Sequence, residues 1–218
     1  MPTTTPDIDA VLGLLRAARV VPVVTITDAA SAVPMTAALV DGGLPAVEIT
    51  LRTAAGLDAL RAAVSAAVPG ALVGAGTVTT AEACEAAIDA GARFVVSPGL
   101  VEAVVAVCAR HGVLALPGIA TPTELLRAIT LGCRTVKLFP ASVLGGPPMI
   151  RALAALGTGT GFVPTGGIGL DTAPAYLAIP DVVAVGGSWM VPADRLSAGD
   201  WPGIRDLAAA CAVLREVR

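Results

Sequence analysis

The chain has 218 residues, 55% of them hydrophobic, with a mean hydropathy of +0.81 and a formal net charge of −3. That length fits one domain or two small ones around a sizeable core. Gly and Pro interrupt every apolar stretch well short of the ~20 residues a membrane span needs, and the negative charge without any basic run argues against nucleic acid as a partner.

In chain order, the first element is a helix. "MPTTTPDIDAVLGLL" offers Thr5 as N-cap, Pro6 in the first turn, and Asp7 and Asp9 near the positive end of the dipole. It lacks the basic n-region of a signal peptide. Short β-branched runs then recur at 19–27, 46–52, 71–77, 93–99, 113–119, 135–140, 161–167 and 181–188. Ala/Leu-rich stretches with helical spacing lie between them, many ending in Gly, the usual helix stop. Eight strands alternating with helices predict an α/β fold, a (β/α)8 TIM barrel with an extra N-terminal helix, as one domain over 1–218. The rival is an open doubly wound sheet, but no strand carries the Gly-rich dinucleotide fingerprint with its acidic partner.

Cys84, Cys108, Cys133 and Cys211 are far apart, without metal-ligand spacing, which fits a reduced, cytoplasmic protein. The lone His111 sits at a helix end before its glycine cap and reads as structural. No metal site and no cofactor are expected.

Barrel chemistry sits at the C-terminal ends of the strands. In "AVEITLR", Val47, Ile49 and Leu51 form one face and Glu48, Thr50 and Arg52 the other. The apolar face belongs against helices, so Glu48 points inward. "VGAGTV" ends the third strand with small residues and Thr77. In "TVKLF", Thr135, Lys137 and Phe139 share the inward face. Lys137 is the only lysine, beside 13 arginines. The plain reading is a buried stem with its head in solvent, and Glu48 would then be an inert ion-pair partner. A chain that uses arginine for every other cation points further. Arginine stays charged and forms no imine, whereas burial disfavours an ammonium ion and a neutral amine attacks carbonyls. Glu48 would then be the general acid/base, and Arg52 would clamp a carboxylate or neutralise Glu48. "PTGGIGLDTAPAY" and "AVGGSWMVPADRL" each place Gly-Gly before a helix, where backbone N–H groups bind phosphate. The set suits a small phosphorylated substrate bearing a ketone and a carboxylate.

"VEITLRT", "GAGTV", "SPGL", "PGIATPTE", "KLFPAS", "PTGGI" and "GGSWMVPADRL" occur in this order between about Val20 and Leu196. They resemble the class I aldolases that cleave 2-keto-3-deoxy-6-phosphogluconate (KDPG) in the Entner–Doudoroff pathway, many of which also act on 4-hydroxy-2-oxoglutarate. The resemblance implies a homotrimeric barrel without metal. It makes Lys137 the Schiff-base lysine, Glu48 the acid/base, and Arg52 and Thr77 ligands of the pyruvate carboxylate. Thr165, Gly166 and Gly167 would face the sugar and phosphate, Gly187 and Ser188 would complete the phosphate site, and Pro98 and Phe139 would line the pocket. Relatives acting on the galactonate epimer tend to carry arginine near the place of Thr25 and asparagine in place of Arg52. This chain has neither, which favours the gluconate epimer. Two other readings use the same residues: a phosphosugar isomerase, synthase or decarboxylase with Lys137 as a charge only, and a non-catalytic phosphosugar-binding protein.

Overall fold

A computed structural model describes residues 8–217. Helix α1 (Ile8–Ala18) has Asp9 in its first turn and Arg16 in its last, charges that suit the helix dipole. Thr5, Pro6 and Asp7 lie outside the described residues. The strands are β1 (Val20–Val24), β2 (Ala46–Thr50), β3 (Leu72–Gly76), β4 (Phe94–Val96), β5 (Leu114–Leu116), β6 (Gly118–Ile119), β7 (Thr135–Leu138), β8 (Gly161–Phe162) and β9 (Val185–Gly187). The intervening helices are α2 (Ala32–Asp41), α3 (Gly56–Ser65), α4 (Ala81–Asp89), α5 (Glu102–His111), α6 (Pro122–Thr130), α7 (Pro147–Ala154), α8 (Ala173–Leu177), α9 (Ala193–Ala198) and α10 (Trp201–Ala209). Short 3-10 segments span Ala29–Ser31 and Ala210–Glu216.

Two findings differ from the sequence reading. The run at 113–119 forms two strands, because Pro117 has no N–H to give to a ladder. Its carbonyl still accepts the Lys137 N–H at 2.8 Å. The other strands stop short of the runs that announced them, because their last residues turn into loops. Thr77, next after β3, already has φ +57°.

The fold is α/β with a curled parallel sheet. Six strands pair in the order β5-β4-β3-β2-β1-β9 and three in the order β6-β7-β8. Single parallel bridges, Phe162–Val182 and Thr165–Gly186, join the β8 and β9 segments.

Strand alternation divides the apolar residues between two cores. Val47 and Ile49 of β2, Val73 and Ala75 of β3 and Val136 and Leu138 of β7 pack outward under the helices. Ala46, Leu72, Phe94, Leu114 and Leu116 pack inward, and Val11 and Leu15 of α1 close against them. The helix touches β1, β2 and β5, so it crosses the concave side of the sheet. All four cysteines are free and buried. The thiols of Cys84 and Cys108 stand 3.6 Å apart. Their hydrogen bond lowers Cys84 and raises Cys108, and burial pushes Cys133 up to about 11. His111 Nε2 lies 2.7 Å from Glu85 Oε2 at the half-exposed end of α5, a structural contact. Among the described residues, no helix is long and apolar enough to cross a membrane.

Candidate active site

β7 and β2 bring the two central groups together. Thr135 and Lys137 occupy inward positions of β7 because Val136 and Leu138 take the outer core. Glu48 and Thr50 do the same on β2. The Lys137 amine donates to Glu48 Oε1 at 3.4 Å, with both residues 5% exposed or less. An ion pair this deep contributes little net stability, since desolvation offsets much of its attraction. Lys137 Nζ also stands 5.2 Å from the centre of the Phe139 ring, a distance at which a cation is attracted to the ring face.

The neighbouring strand ends add further groups. Arg52, just past β2, donates from Nε to Thr77 Oγ1 at 3.1 Å, and both groups are open to solvent. Arg52 is therefore turned towards Thr77 at the rim and makes no ion pair with Glu48. The left-handed backbone at Thr77 is unusual for a β-branched residue and costs of order 1–3 kcal/mol. Pro98 follows β4. Gly118, paired in register with Lys137, lies so close to it that an added Cβ would fall 2.7 Å from Gly99 N and nearer still to the Pro98 carbonyl.

On the other flank, β7 and β8 continue past their strand ends. Ala141 N–H donates to Thr165 O at 2.8 Å and Ser142 N–H to Gly166 O at 3.1 Å. A Cβ on Gly166 would stand 3.4 Å from the Phe139 ring and 3.2 Å from Pro140 Cα. Gly166 and Gly167 have φ +101° and +70°, where glycine is favoured, and their N–H groups have no backbone acceptor among the described residues. Thr165 is buried, and its bridge to Gly186 sets Gly187 and Ser188 on the adjacent strand end. Neither Gly-Gly pair sits directly at a helix start: α8 begins at Ala173 and α9 at Ala193. Turn residues intervene, so any anion here is met by loop N–H groups and not by a helix terminus.

Lys137, Glu48 and Phe139 thus form one contact set, Arg52 and Thr77 a second, and Thr165, Gly166 and Gly167 a third that reaches Phe139. Three further residues were not anticipated as site residues. The hydroxyl of buried Thr50, two residues above Glu48, lies 3.0 Å from that of Thr25. Ser142 is exposed and stands over Gly167, whose added Cβ would fall 2.7 Å from Ser142 Cβ. The Trp189 ring packs against Gly187, where an added Cβ would approach Cη2 to 3.1 Å. Thr50 was legible from strand alternation; the other two depend on loop packing. Among the described residues, no group of three or more His, Cys, Asp or Glu is placed to hold a metal ion.

A buried amine beside a buried carboxyl, on the inward faces of curled parallel strands, defines an α/β enzyme scaffold. The family model "KDPG and KHG aldolase" matches residues 11–207. A 2-dehydro-3-deoxy-phosphogluconate aldolase of Treponema pallidum is 48% identical over 194 residues, covering 89% of this chain and 92% of that one. The structure of the 2-keto-3-deoxy-6-phosphogluconate aldolase of Zymomonas mobilis ZM4 with 3-phosphoglycerate superposes with a TM-score of 0.88 at 39% identity, covering 97% of each chain. A KDPG aldolase from Legionella pneumophila, solved with pyruvate captured as a covalent carbinolamine, gives 0.87 at 35% identity, over 91% of this chain and 96% of that one. This chain belongs to the KDPG and KHG aldolase family.

Proposed function

We propose that the protein is a class I aldolase, an aldehyde-lyase. It cleaves 2-keto-3-deoxy-6-phosphogluconate to pyruvate and glyceraldehyde 3-phosphate, and 4-hydroxy-2-oxoglutarate to pyruvate and glyoxylate. The observation that carries the reading is the buried Lys137–Glu48 contact at 3.4 Å, between inward residues of β7 and β2 in the two different sheets. The carbinolamine in the Legionella relative supports it, as do the names of the relatives.

In this reading a proton leaves Lys137 for Glu48, and the neutral amine attacks the C2 ketone. Glu48 moves protons to and from the carbinolamine, and loss of water leaves a protonated imine. The Glu48 carboxylate, through a water, then accepts the C4-hydroxyl proton. The C3–C4 bond breaks, its electron pair enters the imine as an enamine, and the aldehyde departs. Glu48 returns its proton to C3, and hydrolysis of the imine frees pyruvate and Lys137. Arg52 and Thr77 bind the pyruvate carboxylate, and Thr77 holds its strained backbone for that purpose. Thr165 faces the sugar, Gly166, Gly167, Gly187 and Ser188 hold the phosphate, and Pro98 and Phe139 line the pocket. Arg52 and Thr25 favour the gluconate epimer.

The finer architecture goes with this reading. The interrupted run through β5 and β6, the Phe162–Val182 and Thr165–Gly186 bridges, and the β1–β9 pairing support closure of the two sheets as a (β/α)8 barrel. The chain would be one aldolase domain over residues 1–218, acting as a cytoplasmic homotrimer.

The test is borohydride trapping with pyruvate, followed by digestion and mass spectrometry. The expected result is a pyruvate-derived adduct on Lys137 in the parent and none on residue 137 of Lys137→Arg, which keeps the charge but loses turnover. Absence of an adduct from the folded parent would favour an isomerase or synthase that uses Lys137 as a charge. Ligand binding without any product would favour a phosphosugar-binding protein.

A further inference from the structure

β3 ends in Gly74, Ala75 and Gly76, and Thr77 follows it. Gly76 has ordinary strand geometry, so its backbone does not call for glycine. Thr77 has φ +57°, where glycine is favoured, yet it carries a side chain. Glycine and threonine therefore stand in the reverse of the order that the backbone alone prefers. The Thr77 hydroxyl accepts the Arg52 hydrogen bond, which accounts for one half of the inversion.

The other half lies across the strand. Gly76 pairs in register with Thr50, and Gly74 with Glu48. Both glycines are inward positions, alternating with the outer-core residues Val73 and Ala75. A Cβ on Gly76 would stand 2.6 Å from Glu48 Cγ and 2.7 Å from Cδ, and closer again to Oε1. Oε1 is the oxygen that accepts from Lys137. A Cβ on Gly74 would stand 2.5 Å from Phe94 Cδ2, a core ring. Thus β3 leaves two empty inward places, one filled by Phe94 and the one above it by the Glu48 carboxyl. Glu48 is 3% exposed, so a Cβ at Gly76 would force its carboxyl out of a closely packed place beside Lys137.

We propose that Gly76 is the positioning residue of the site: its missing side chain is the slot that holds the Glu48 carboxyl against the Lys137 amine. The proposal rests on the reading of Glu48 as the acid/base.

The experiment compares Gly76→Ala with Gly74→Ala, which introduces the same methyl one storey lower. The readout is exchange of the pyruvate methyl protons in D2O, followed by NMR. It needs only the imine and a proton donor at C3, and it runs beside KDPG cleavage and thermal melting. Gly76→Ala should slow exchange and cleavage kcat by about 10²-fold or more, the span of a positioned acid/base, with KM changed less than about threefold because Arg52 and Thr77 are untouched. Gly74→Ala should lower the melting temperature at least as much while its exchange per folded molecule stays within about threefold of the parent. Exchange in Gly76→Ala within about threefold of the parent, or equal losses in the two variants, overturns the proposal. Absence of exchange in the parent overturns the acid/base reading, and the positioning role with it. If Gly76→Ala does not fold, the Glu48→Ala background decides. A Gly76→Ala/Glu48→Ala chain that melts like Glu48→Ala supports the slot, and one that still fails to fold overturns it.

Discussion

Inside the curl of the sheet, the N-terminal half and the C-terminal half use the same inward positions for different ends. In the first, Ala46, Leu72, Phe94 and Leu114 meet Val11 and Leu15 of α1 in a dry apolar layer. In the second, the higher inward places are Glu48 and Thr50 on β2, Gly76 on β3 (above Gly74, which Phe94 covers) and Lys137 on β7. One half is closed by side-chain volume, and the other is kept open by its absence. The closed half serves the open one: burial on the apolar layer holds Lys137 and Glu48 in a water-poor setting, where electrostatic interactions are stronger.

If this division is real, substitutions in the two halves should have separable effects. The largest should come from Glu48→Gln, which keeps size but removes the carboxyl that the proposed mechanism uses to carry protons. Its kcat should fall by about 10²–10⁴-fold with the melting transition nearly unmoved. A variant that instead unfolds would make the pair structural. Next is Leu15→Ala, in the fully buried face of α1. Denaturant titration should show a loss of about 2–5 kcal/mol, while kcat of the molecules still folded stays close to that of the parent. A proportionate loss of kcat would mean that the layers are coupled.

The smallest effects belong at the rim. Thr121 and Glu124 form a capping box at the start of α6, directly after β6. Thr121→Ala should cost about 1 kcal/mol of stability without changing kinetics. The Glu124 carboxyl is held below its usual range, first by the Ala120 N–H and then by Thr121. Its contribution is therefore fully present above the unfolded carboxylate value of about 4.3 and is lost as pH falls through the lower folded value. The stability gap between parent and Glu124→Gln should narrow over that acid window, as followed by circular dichroism.

Strand alternation makes Lys137 and Glu48 legible in the sequence itself, because one outward apolar face dictates what the other face must do. Arg52 is legible as an inward residue of its run, but its partner is not. It donates to Thr77, 25 positions away, and only the left-handed turn after β3 brings that hydroxyl near. The role of Gly76 is hidden for the same reason. A glycine in a strand reads as a bend or a close approach, and the group it admits comes from another strand, 28 positions earlier. Pro117 is plain in the sequence, yet eight runs counted by their β-branched residues pass over its split of one strand into β5 and β6. The Gly-Gly pairs mislead because the helix pattern further along each segment reads as starting at once, whereas turn residues lie between.

Lys137 is the only lysine in the sequence, and it is 5% exposed in the middle of a strand. A lysine-specific endoprotease therefore has one bond to cut, after residue 137, and finds it only when β7 has left the sheet. The appearance of two fragments is a clock that counts opening of the sheet around Lys137 and ignores fraying elsewhere. A substrate that links itself to that lysine should stop the clock.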